Sequence, residues 1–252
     1  MGVQQAEPKG LSLKSCRQEN RLFSVIFEVH PRPEQWDAYL SAAKMLRPEL
    51  EQVDGFVDNV RYRSLTREGW ILSLSGWRDE KSLVRWRTAI HHHDTQQRGR
   101  DEILLDYHLR VGQVTQDSQI PTGYELREQR LDETAVGEGT TVSFISGQID
   151  PEKLKGMSPA EVAQHLGFPD AATELVAWDA YDAVLTPGAV ILMLVWRHAP
   201  AAAEFVAQAT AFGHRVRTVR VVRDYGMFDR REAPQYYHEA TRQPATESAV
   251  TG

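Results

Sequence analysis

Apolar positions along this chain fall into two rounds of one alternation. Leu22 to Val29 is an apolar run of strand length, followed by Pro33, whose missing N–H is harmless in the first turn of a helix. Trp36, Tyr39, Leu40, Ala43 and Leu50 recur at helical spacing and predict one buried stripe, ended by Gly55. Phe56 to Thr66 and Trp70 to Trp77 read as a hairpin turned at Arg67-Glu68-Gly69, where glycine can take a positive φ. A single helix is predicted from Asp79 to about Arg98, with Leu83, Trp86 and Ile90 inward, and Leu104 to Val114 forms a fourth strand. The second round predicts strand Thr140 to Ile149, helix Ser158 to Leu166, strands Glu174 to Leu185 and Ala189 to Trp196, an Ala-rich helix from Pro200 to about Ala211, and strand Arg215 to Phe228.

Displacing the chain against itself by 119 residues aligns Ser24 with Ser143, Ile26 with Ile145, Val57 with Val176, Tyr62 with Tyr181, Gly69 with Gly188 and Trp77-Arg78 with Trp196-Arg197. One deletion later Asp106-Tyr107 meets Asp224-Tyr225. The expectation is an α+β tandem duplication: two ferredoxin-like βαββαβ domains over 21–116 and 140–235, joined by a polar linker over 117–139 and followed by a disordered tail over 236–252. Each such sheet is covered by helices on one face only, so its bare face must be hidden. Stacking the two bare faces predicts an intramolecular dimeric α+β barrel, with room for pairing to a second chain.

Composition narrows the function. The chain has 252 residues, 41% of them hydrophobic, enough for ordinary cores. A net charge of −6 leaves no basic field for phosphate backbones, so no nucleic-acid partner is expected. Its one cysteine, Cys16, permits no intrachain disulfide, and a cytoplasmic location is the expectation. Met1 to Asn20 reads as a loose polar leader. Ala189 to Trp196, the longest apolar run, is too short to cross a bilayer, so no membrane partner is expected.

Candidate chemistry gathers in the first round. His91-His92-His93 offers imidazole for proton transfer near neutrality, although the run also fits a solvated helix end. Helical periodicity from Trp86 selects His93, seven residues on; a break near Ala89-Ile90 would select another. Three consecutive positions fan out too widely to share one ion, so no metal is expected. On the second strand Asn59 and Arg61 share a face and Tyr62 takes the other. Their counterparts in the second round are Trp178 and Ala180, and His92 faces Ala211, so polar groups are missing there. Trp77 reads as core because Trp196 repeats it, Trp86 is matched by Phe205, and Trp70 has no aromatic counterpart. Asp106 and Tyr107 recur, which reads as structural duty, and His214 reads as a surface residue.

The stretch from Tyr62 through Gly69-Trp70, Gly76-Trp77-Arg78 and Trp86 to the His run and Asp106-Tyr107 resembles the antibiotic biosynthesis monooxygenase family. That resemblance covers about Leu22 to Val114 and is weaker beyond. It implies a cofactor-independent monooxygenase that oxidises a phenolic or polycyclic aromatic compound with O2 to a quinone. It further implies a pocket between sheet and helices of the first copy. By family position Trp86 and His92 would face that pocket and Asn59 would be a polar contact; to these we add His93 as the alternative base, Arg61 as a second polar contact, and Trp70 and Tyr62 as further candidate substrate-binding aromatics. A haem-binding or haem-degrading relative is the first alternative, although the histidine position of those relatives falls on Gln96 here. The second alternative is a non-catalytic accessory protein of a biosynthetic pathway.

Overall fold

The computed structural model describes residues 22–126, 136–168, 174–209 and 213–230. The leader with Cys16, the middle of the linker, Ala211, the side chain of Ile90 and the tail from 231 onward lie outside the described residues. The first half runs β1 (Phe23–Pro31), α1 (Trp36–Glu51), β2 (Phe56–Ser64), β3 (Ile71–Trp77), α2 (Glu80–Arg87), α3 (Ile90–Arg98) and β4 (Leu104–Asp117). The second runs β5 (Thr141–Gln148), α4 (Pro151–Leu154), α5 (Pro159–His165), β6 (Leu175–Ala183), β7 (Ala189–Trp196), α6 (Ala199–Ala209) and β8 (Arg215–Gly226). The single helix expected after Asp79 is two helices followed by a π-helical turn at Gly99–Ile103. Ala89 between them is extended, with ψ 134°.

The strands form one closed antiparallel barrel in the order β1-β3-β2-β6-β7-β5-β8-β4. Read from β4 the first half contributes β4-β1-β3-β2, and the second contributes the same order, β8-β5-β7-β6. The halves join where β2 meets β6 and β4 meets β8, so strands that would be open edges are paired within the chain. Arg63 lies opposite Asp182, the residue that the 119 offset assigns to it, and the pair forms a bidentate salt bridge at 2.6 Å.

That offset fails on other strands. Phe23 sits opposite Trp77, whereas Trp196 sits opposite Thr141, so β1 and β5 correspond one residue away from it. Ile26 therefore faces the barrel interior while Ile145 packs beneath α5, on the opposite side of its sheet. Likewise Phe23 is also opposite Gln113 and Thr141 opposite Arg220, which makes those two the corresponding pair and Asp106-Tyr107 no counterpart of Asp224-Tyr225. A one-residue slip inverts every side chain of a strand, and small-residue identities cannot detect it.

Inside the barrel Ile26, Leu72, Phe144 and Met193 pack together, and Tyr124, Leu126 and Val136 of the linker pack against them. An ionic network crosses this interior. Glu28, 3% exposed, receives Arg110 at 2.7 Å, Arg67 at 2.5 Å and the Tyr181 hydroxyl at 3.2 Å. Arg67 reaches on to Asp179 of β6 at 2.8 Å, and His108 bonds Asp224 of β8. Burial pushes the Glu28 carboxyl up, but Arg110, Arg67 and His108 outweigh it and hold its pKa below the ordinary value.

Candidate active site

A cavity of about 220 Å³ lies between the outer face of the first-half sheet and helices α1 to α3. Its floor includes Val25, Phe27, Asn59, Arg61, Ser73 and Leu109, every second residue of their strands. Its roof includes Tyr39, Ala42 and Ala43 of α1 with Trp86 and His92. In the second half the corresponding face is filled: Phe168 packs on Trp178 at 4.9 Å and Phe205 on Trp196 at 5.4 Å.

Helix α2 is fixed at its start by Asp79, whose carboxylate accepts the Ser82 N–H and hydroxyl, both at 2.7 Å. It ends at Arg87, and the extended Ala89 resets the helical phase. This brings His92, rather than His93, against Trp86. The two rings stack with centroids 4.3 Å apart and planes 15° apart. Nδ1 of His92 lies 3.0 Å from the Trp86 carbonyl oxygen. A carbonyl only accepts, so Nδ1 carries the proton and Nε2 keeps its lone pair. Burial lowers the imidazole pKa to about 4, with the Trp86 hydrogen bond opposing and His93 adding to the shift. His92 is thus neutral at physiological pH.

At the β2 side of the cavity the Asn59 amide donates to the Ser73 hydroxyl at 3.0 Å and to the Leu74 carbonyl at 3.3 Å. Arg61 hydrogen-bonds the Tyr39 phenol, and its buried Nε has no partner. Burial pushes the Tyr39 hydroxyl up, against the pull of Arg61. At the β4 and β8 side, Arg100 donates to the Tyr107 hydroxyl at 2.8 Å, Arg230 donates to the same oxygen, and Arg87 keeps a buried, unpartnered Nε. Tyr225 lies alongside, its pKa pushed up to about 12 by burial and by Tyr107.

Of the residues singled out from sequence, the fold brings His92, Asn59, Arg61 and Trp86 to one cavity. The other three lie outside it. His93 is half-buried on α3. Trp70 stacks on His30 at 5.2 Å beneath the Arg67 guanidinium, at the hairpin. Tyr62 points to the barrel interior, the face opposite Asn59 and Arg61. Sequence reasoning missed Arg87, Arg100, Tyr107, Tyr225 and Arg230. The recurrence of Asp-Tyr makes Tyr107 read as structural, a coincidence that the strand register dissolves. Tyr225 and Arg230 enter from the second half, which only barrel closure reveals. Among the described residues no group of His, Cys, Asp or Glu could hold a metal ion, and no helix is long and apolar enough to cross a membrane.

The profile of the antibiotic biosynthesis monooxygenase family matches residues 22–98. The chain is 48% identical over 227 residues to a protein of Pyricularia oryzae named jasmonate monooxygenase ABM, covering 87% of this chain and 100% of that one. Among solved structures it is similar to an aldoxime dehydratase in complex with butyraldoxime, with a TM-score of 0.53 over 82% of this chain and 81% of that chain. At 12% identity that likeness concerns the fold alone. With a near-full-length relative at this identity, the chain belongs to the antibiotic biosynthesis monooxygenase family and is an oxidoreductase of that kind.

Proposed function

We propose that the chain oxygenates a small carboxylic acid of the jasmonate kind in the first-half cavity, without a bound cofactor. The observation that carries this reading is the charge of the lining. Arg61, Arg87, Arg100 and Arg230 face the cavity, and no Asp or Glu among the described residues lines it, although the whole chain carries −6. Guanidinium groups in a water-poor site favour an anion. Jasmonate, for which the Pyricularia relative is named, is a one-ring acid with a short hydrocarbon chain. The volume of about 220 Å³ lies below the roughly 300–1,000 Å³ of drug-sized pockets, which favours one ring over a polycyclic aromatic.

In this reading Nε2 of His92 removes a proton from an activated C–H, and Arg61, whose buried Nε has no partner, holds the oxygen on which the negative charge settles, with Asn59 shaping the cavity beside it. The carbanion gives one electron to O2, and the radical pair combines to a peroxide that recovers the proton. The hydroperoxide then loses water to leave a carbonyl, so one oxygen atom enters product, the other leaves as water, and the substrate supplies all the electrons. His92 is a weak base; the cationic lining supplies the driving force by stabilising the anion.

We also read the chain as a tandem duplication with one working copy. Supporting it are the repeated strand order and the filled second-half face.

The test is oxygen uptake by haem-, flavin- and metal-free protein with jasmonic acid, coupled to mass spectrometry. One O2 consumed per product, with one oxygen gained and two hydrogens lost, is the expected result. Uptake that requires added haem, flavin or metal would overturn the cofactor-free reading.

A further inference from the structure

The cavity has two polar ends. Register places Arg61, Ser73, Phe27, Leu109 and Tyr225 in one row across β2, β3, β1, β4 and β8. Four steps of about 4.8 Å separate Arg61 from Tyr225 by roughly 19 Å along the sheet. At the β2 end one guanidinium stands beside neutral partners, Tyr39 and Asn59. At the far end Arg87, Arg100 and Arg230 converge on Tyr107 and Tyr225.

We infer that this far end, Arg87 with Arg100, Arg230 and Tyr107, is the seat of the substrate carboxylate; the inference rests on the acid-substrate reading above. Tyr107 oxygen accepts from Arg100 and Arg230, so its own proton is free to be donated, and two cationic donors on that oxygen make the O–H a stronger donor. Arg87 holds its Nε buried and unpartnered at the cavity wall. Glu80, the carboxylate that acts on Arg87, lies outside the lining and is 4.0 Å from Arg223. A carboxylate here would take a donor from Arg87 and one from Tyr107, leaving the Asn59–Arg61 end to the reacting oxygen. The second half would then supply substrate recognition through Arg230, and the seat would decide which carbon meets His92.

Jasmonic acid and its methyl ester are the probes, since they differ in charge at one end. Binding is followed by quenching of the fluorescence of Trp77 and Trp86, both on the cavity. The intact protein is expected to prefer the acid by about ten- to a hundredfold, the range for a hydrogen bond to a charged group. Arg87→Gln and Tyr107→Phe should each weaken acid binding about tenfold and leave ester binding unchanged, while Arg61→Gln preserves the preference. Loss of the preference in Arg61→Gln, with Arg87→Gln and Tyr107→Phe retaining it, would place the carboxylate at the other end and overturn the assignment while the acid-substrate reading stands. Equal binding of acid and ester by the intact protein, or binding of neither, would remove the acid-substrate reading and this seat with it.

Discussion

The imidazole of His92 lies flat against the indole of Trp86 while its Nδ1–H donates to that same tryptophan's backbone carbonyl. One residue thus fixes both the tilt and the tautomer of the other. The Trp86 carbonyl belongs to the last turn of α2 and already accepts the Ala89 N–H at 3.1 Å, so the imidazole is tied to a carbonyl that the helix end itself holds in place.

His92→Ala should fold and lose turnover by about 10²- to 10⁴-fold, the usual contribution of a positioned base. Single-turnover oxygen uptake measures it, and circular dichroism confirms the fold. Uptake within about twofold of the parent would remove His92 as the base.

The pH profile follows from the lowered His92 pKa. Because the imidazole protonates only near pH 4, turnover should stay level from neutral pH towards 5 and fall below it, since imidazolium cannot accept a proton. Stability moves the same way. An unfolded His92 takes up a proton near its ordinary 6.5 whereas the folded one waits until about 4, so folding weakens as pH falls through that interval. Urea titrations of the parent and His92→Ala at pH 7 and pH 5 should show a smaller acid loss in the variant.

Glu28→Gln should cost about 3–5 kcal/mol, because it strands Arg110 and Arg67 beside an uncharged amide inside the barrel. The carboxyl's folded pKa is below its ordinary 4.5, so its contribution is present above that value and lost as pH falls through the lower folded one. Chemical denaturation at pH 7 and pH 3 should show the difference between parent and variant shrinking at the acid end.

Gly112→Ala tests the junction of the halves. A Cβ there would collide with the Val219 side chain and meet the Arg220 carbonyl oxygen at 2.5 Å, and the latter is backbone on β8. Destabilisation by about 1–3 kcal/mol is expected, read as a lowered thermal midpoint. An unchanged midpoint would mean that β4 and β8 are not held at this spacing.

Much of the fold was legible because strand runs and helical stripes are local properties. Ala189–Trp196 was read to the residue, and Asn59, Arg61 and Trp86 follow from strand alternation and family position. What escaped was non-local or fell between periods. The choice between His92 and His93 turned on one extended residue, Ala89, that no periodicity announces. The equation of Ser24 with Ser143 placed residues of opposite sheet faces in register, because identity is blind to face. Arg230 and Tyr225 sit about half a chain away from the cavity they line, and only the β4–β8 pairing delivers them.

Filling the cavity tests its role most directly. Ala43 lines it from α1, and Ala43→Phe would occupy the space while leaving His92 and the four arginines in place. Retained fold with oxygen uptake on jasmonic acid abolished is the predicted result. A folded variant with the parent's turnover would contradict catalysis in this cavity.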